Sequence, residues 1–339
     1  MPTTAAKDPK DFIIEARKLM DKAEWKKATD TLKEVLTNPS KDPKVQAILA
    51  RAYTMRAQCL AHMGDLEKAN DDSIKALAMS REFMDAAVEG EALRLQANFA
   101  WKKADYKTAM ELLPKALEIA KRIKDIRLEG MVHLEMGTVH TFTDDNLLAE
   151  REYREAVLAL EKAGDMRELS RAYNNFADNF MTLRKWDKAA EMFAKCKKFA
   201  EKVGDEGFVA WGAFNRAACL IELDKPKEAQ QELDLSIPIL ERTQDYNGLM
   251  FALEIRGLAY AKIKDWQQAE QYLIKARRLA QKAKMPVAEG GIIRDIGRIY
   301  KMRGDKDKAV LYLNEAKDIF EKFGAKREKL RVIEELKGL

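Results

Sequence analysis

Small and bulky apolar residues recur along this chain at a fixed distance. Alanines stand at 69, 109, 149, 189, 229, 269 and 309, every step being 40 residues, and Ala28 is an eighth copy displaced by one. Twelve residues earlier lies a second small column: Ala16, Ala57, Ala97, Gly137, Ala177, Ala217, Gly257 and Gly297. Seven residues after the first lies a third: Val35, Ala76, Ala116, Ala156, Cys196, Ser236, Ala276 and Ala316. Between them a bulky column reads Leu32, Ser73, Leu113, Tyr153, Phe193, Leu233, Leu273 and Leu313, with Ile74 expected to replace Ser73 in the core. Small residues at matched sites let two helix backbones approach, and the bulky column fills the space between neighbouring pairs. The pattern predicts paired helices of about 17–18 residues and no strands.

Turn signals fall at both joints of each unit. Gly64-Asp65 and Gly304-Asp305 mark one joint, Gly164-Asp165 and Gly204-Asp205 the other. Glycine relieves the left-handed position past a helix end, and aspartate caps the next start. Pro226 and Pro286 fall at helix starts, where a missing N–H costs nothing, whereas Pro114 and Pro238 fall inside second helices and predict kinks.

These columns resemble the tetratricopeptide repeat family. Its small, aromatic, alanine, bulky, alanine pattern is met in full by Gly257, Tyr260, Trp266, Ala269, Leu273 and Ala276, and nearly so by Ala177, Phe180, Trp186, Ala189 and Phe193 followed by Cys196. The usual unit has 34 residues, so this is the long-repeat form. HEAT-type repeats share the length but lack the small-large-small pattern. The resemblance implies an all-α superhelical solenoid of about eight helix-turn-helix repeats over residues 9–323. A disordered N-terminal tail over 1–8 and a capping helix over 324–339 that uses Leu330, Ile333 and Leu336 complete the expectation.

The resemblance also implies that the first helices line a concave groove. The positions that match are Arg94, Asn98, Trp101 and Lys102; Met131, Leu134, Thr138 and Phe142; Arg171, Asn174, Asn175 and Asp178; Trp211, Phe214, Asn215 and Ile221; Phe251, Glu254 and Leu258; and Arg294, Arg298 and Lys301. Three zones emerge. Asn174, Asn175 and Asn215 carry amides that both donate and accept, suited to a peptide backbone of any sequence, or else to bonds within the helix pair. The apolar side chains offer anchors or ordinary core. Arg294, Arg298 and Lys301 form a stripe suited to carboxylate or phosphate, or else a solvated surface.

Composition narrows the picture. The 339 residues carry 61 basic and 56 acidic side chains, a net of +5. Residues 275–339 hold 18 basic and 10 acidic side chains, a net of +8, so the rest is slightly acidic. Length alone suggests two domains, but a solenoid in which repeats contact only their neighbours replaces them with one. Cys59, Cys196 and Cys219 form no C-x-x-C pair, the N-terminus lacks an apolar leader, and no run of 18 apolar residues occurs. A reducing, cytoplasmic setting without membrane contact is the expectation. No phosphate-cradling motif is present. His133 and His140 lack a third ligand, and Asp144-Asp145 reads as a helix cap. No nucleophile–base pair stands out, so no catalytic residue, metal or cofactor is expected.

The leading expectation is a non-enzymatic scaffold or adaptor holding a protein or peptide, acidic groups included, in its groove. The alternatives are nucleic-acid or ribosome association through the basic C-terminal third, and a peptide-sensing regulatory module.

Overall fold

The computed structural model describes residues 8–37 and 42–339, so of the expected N-terminal tail only Asp8 is included. Among the described residues there are seventeen helices and no strand. They fall into two compact units. The first, residues 1–165, contains α1 (Pro9–Asp21), α2 (Trp25–Leu36), α3 (Pro43–His62), α4 (Leu66–Glu82), α5 (Ala86–Lys102), α6 (Tyr106–Ile123), α7 (Ile126–Phe142) and α8 (Asn146–Ala163). The second, residues 166–339, contains α9 (Met166–Thr182), α10 (Trp186–Val203), α11 (Glu206–Glu222), α12 (Pro226–Arg242), α13 (Tyr246–Lys262), α14 (Trp266–Lys282), α15 (Pro286–Arg303), α16 (Lys306–Lys322) and α17 (Lys326–Lys337).

Within each unit the odd-numbered helices up to α15 each pair with the even-numbered helix that follows, the pairs stack in chain order, and α17 packs on α16. Odd helices also touch one another, α1 to α7 in the first unit and α9 to α15 in the second. The even helices splay. In each unit the odd helices therefore form the tighter, inner side of a curved stack, which is the side that faces a ligand in a helical repeat.

The residue columns explain this packing. The alanines from 69 to 309 are fully buried, as are Ala57, Ala97, Ala177 and Ala217. Against them sit Leu113, Tyr153, Phe193, Leu233, Leu273 and Leu313, each at most 1% exposed. The expected exchange of Ser73 for Ile74 does not occur. Ser73 keeps its column, buried, with its hydroxyl donating to the Asn70 carbonyl at 2.7 Å, while Ile74 is 51% exposed. One residue along a helix is a rotation of about 100°, which carries a side chain out of the column.

The joints repeat every 20 residues. Gly64, Gly164, Gly204, Gly304 and Gly324 take the left-handed conformation, but so do Met84, Ala104, Lys124, Asp144, Arg184, Asp224, Gln244, Lys264 and Lys284, with φ between 53° and 62°. The backbone bonds that close these turns hold them there, such as the Asp105 N–H to the Ala100 carbonyl at 2.9 Å. The next residue is commonly aspartate. Asp65, Asp85, Asp105, Asp125, Asp205, Asp245, Asp265 and Asp305 each accept the backbone N–H three residues on, at 2.9–3.3 Å. Asp145 holds the same position without a side-chain cap bond. Pro226 and Pro286 open their helices, and α6 and α12 run through Pro114 and Pro238 as continuous helices.

The last helix covers the end of the second unit in a phase different from the one expected. Val332 is fully buried, with Leu336 and Leu339 packed beside it, and Leu330 is 61% exposed. Val332, Leu336 and Leu339, four and three residues apart, form the stripe that meets the core, and Leu330 lies off it.

Candidate functional site

In the first unit the expected groove residues of α5 are engaged internally. Arg94 is 5% exposed. Its guanidinium donates to both oxygens of Glu91, at 2.6 and 3.0 Å, and to Glu135 on α7. Asn98 donates to Glu135 at 3.3 Å, and Gln58 on α3 donates to Glu91. Burial raises the Glu91 pKa, and the facing Arg94 more than offsets this, leaving it below the ordinary value. The network ties α3, α5 and α7 together. Trp101 stacks on the exposed ring of Phe142 at 5.6 Å, and Phe142 on Tyr106 at 6.2 Å. Met131, Leu134 and Thr138 are buried. His133 Nδ1 lies 2.6 Å from Glu152, so it is a paired side chain of the α7–α8 packing.

The second unit presents a different surface. On α9, Arg171 donates to Glu168 at 2.6 Å, and the Asn174 amide donates to Asn175 at 3.4 Å and to Asp178 at 3.3 Å. Asp178 is exposed, yet the protein around it desolvates the carboxyl enough to push its pKa up to about 7. On α11, the Trp211 indole N–H donates to Asp245 at 2.8 Å, the same aspartate that caps α13. Its ring, 39% exposed, lies 5.3 Å from Phe214, which is buried at 3%. Phe214 is thus core. Asn215 stands half-buried, and its amide has no hydrogen-bond partner among the described residues. On α13, Phe251 is 37% exposed.

The basic stripe of α15 is largely neutralised from within. Arg294 and Arg298 both donate to the buried Asp295, at 3.3 and 3.2 Å. Arg298 also lies 3.9 Å from Glu335 on α17, and Lys301 donates to the Glu335 carbonyl at 3.4 Å. Asp295 and Glu335 were not among the expected site residues, because a lone acid inside a basic stretch gives no sequence signal of its partners. Glu254, on the groove face by pattern, gains a character that pattern does not show. Burial pushes its pKa up to about 8, and Asp295 nearby adds to the effect against the pull of Arg294.

Among the described residues no group of three or more His, Cys, Asp or Glu side chains has metal-binding geometry. No helix among the described residues is long and apolar enough to cross a membrane. Cys59, Cys196 and Cys219 are buried, and desolvation raises their thiols to about 11, 11 and 12, away from nucleophilic chemistry.

Residues 249–322 and 50–83 match family models described as tetratricopeptide repeat. The chain contains tetratricopeptide repeats. Curated protein sequences give no match. Among solved structures, the apo form of RapI is similar at 16% identity and a TM-score of 0.66, covering 98% of this chain and 99% of that one. The apo form of the quorum sensor NprR from B. thuringiensis is similar at 13% identity and 0.64, covering 97% of each chain. A Rap protein complexed with competence and sporulation factor is similar at 12% identity and 0.62, covering 98% of this chain and 97% of that one. At these identities the likeness establishes the tetratricopeptide-type α-solenoid fold.

Proposed function

We propose that this chain is a non-enzymatic interaction module that holds an extended peptide segment of a partner protein along the odd helices of residues 166–339, in a cytoplasmic setting. Asn215 carries the reading. A half-buried amide with no partner, carried by one of the odd helices, offers a donor and an acceptor to a peptide backbone without regard to sequence. Asn175 on α9 and the exposed faces of Trp211 and Phe251 extend the same surface with a polar and an apolar contact. The solved Rap structure complexed with competence and sporulation factor supports a peptide-sensing form of this role over a purely structural one.

Nucleic-acid association through the C-terminal third has less support, because Arg294 and Arg298 already bond Asp295. Arg94 and Asn98 belong to an internal network and are left out of the proposed contact surface.

The test is a random-heptapeptide display screen on the full chain, followed by fluorescence anisotropy of an enriched peptide against wild type and Asn215→Ala. The loss of roughly 1–2 kcal/mol for a hydrogen-bonded pair predicts about five- to thirtyfold weakening with an unchanged melting temperature. Binding that is indifferent to Asn215→Ala overturns the reading.

A further inference from the structure

The charges on the inner side of the second unit are not evenly matched. Its arginines are spent: Arg171 on Glu168, Arg294 and Arg298 on Asp295. Two of its carboxylic acids are not. Asp178 on α9 receives one neutral amide, from Asn174, and has no ion pair. Glu254 on α13 has no ion pair either: it shares a hydrogen bond with Asp295, and Arg294, the cation that pulls on it, is bonded to that same Asp295. An acid without a counter-charge in such surroundings is held toward its neutral form, which both residues show. Along α9, α11 and α13 the face lacks uncommitted positive charge, since the cation without an acid partner, Lys301, stands on α15.

We infer that the occupant of this face is a peptide segment bearing basic side chains, with Asp178 and Glu254 as their counter-charges and Asn215 holding the backbone between them. The inference rests on the peptide-binding reading above and adds the charge of the ligand. It reverses the acidic partner that the α15 stripe suggests in the sequence. It also runs against the chain as a whole, whose net +5 favours anions, so a preference for basic peptides has to arise locally.

The geometry limits the ligand further. α9, α11 and α13 touch in succession. Two helix spacings of about 8–10 Å separate the helices that carry the two acids. An extended chain advances about 3.3 Å per residue. The two basic side chains are then roughly five residues apart, with the stretch between them passing Asn215.

The same heptapeptide screen decides the matter, followed by anisotropy of one enriched peptide and of its Arg/Lys→Gln version against wild type, Asp178→Asn and Glu254→Gln. Both substitutions keep side-chain shape, and thermal melts confirm folding. The expected result is a bound pool enriched in arginine and lysine. Each substitution then weakens the basic peptide about tenfold, in line with a charge-assisted bond, and leaves the Gln version unaffected. An acidic or charge-indifferent pool that still depends on Asn215 overturns this inference and leaves the peptide-binding reading standing. Basic peptides that bind Asp178→Asn and Glu254→Gln as tightly as wild type overturn it equally. A screen that enriches no peptide overturns both.

Discussion

Gly257 and Ala269 meet backbone to backbone: a Cβ added at Gly257 would stand 3.0 Å from the Ala269 carbonyl oxygen and 2.8 Å from the Leu273 side chain. Leu273 is a fully buried side chain, and the carbonyl belongs to the α14 backbone, so neither yields freely. Gly257→Ala is expected to destabilise the protein by about 1–2 kcal/mol, overpacking outweighing the better helix propensity of alanine. Gly291→Ala is the internal control. Its added Cβ would meet nothing within 4 Å, so it is expected to stabilise α15 by roughly 0.5–1 kcal/mol. Thermal melts of the two variants should move in opposite directions.

Arg94 is placed by the sequence pattern on a binding surface and by the structure inside a network. Arg94→Met removes the cation that Glu91 and Glu135 share and leaves two acids in buried surroundings. A loss of about 3–5 kcal/mol in urea-unfolding free energy is expected. Unchanged stability would return Arg94 to the list of partner contacts.

Glu254 gives the stability of the second unit a pH dependence of known sign. Its carboxyl titrates near 4.5 when free of the fold and near 8 within it. Between those values the native state holds a proton that the unfolded state has released, so unfolding free energy falls as pH rises through this window. Glu254→Gln removes that slope. The melting temperature of the variant relative to wild type should climb between pH 5 and pH 8.5, and a flat difference would contradict the placement of Glu254 beside Asp295.

The left-handed turn at Ala104, φ 61°, costs an alanine roughly 1 kcal/mol that glycine avoids, less the greater freedom glycine gives the unfolded chain. Ala104→Gly is expected to raise stability by about 0.5 kcal/mol, measurable as a shift in urea midpoint without change in slope.

All three thiols should resist alkylation at neutral pH. Titration with a chromogenic disulfide is expected to report none in the native protein and three in denaturant, as buried thiols raised to about 11 or 12 require.

The fold was legible because its information is periodic. Ala69, Leu113 or Ala177 means little alone, but each belongs to a column repeated every 40 residues, and each column reports one packing contact. Where a signal was tied to one residue type, it was only half visible. Gly164 announces its turn, while Lys264 and Gln244 occupy the same conformation with no sequence marker, because the hydrogen bonds around them do the work that glycine does elsewhere. The candidate site was less legible for a related reason. Pattern puts Arg94, Asn215 and Arg298 on one kind of face, but whether each is free or spent depends on Glu135 and Asp295, 41 and 3 residues away, whose pairing has no period. The pull of Glu254 toward its neutral form emerges only once those partners are assigned.

The 20-residue spacing of the turns also makes the chain editable. Removing residues 185–224 would join Arg184, already left-handed at φ 54°, to Lys225 and Pro226, which open a helix. Ala177 would then meet Leu233 where Ala217 now does, alanine replacing alanine. The join creates no new turn and no new core contact type, so the shortened chain is expected to fold, losing one nearest-neighbour interface and, with Asn215, its proposed hold on a ligand backbone.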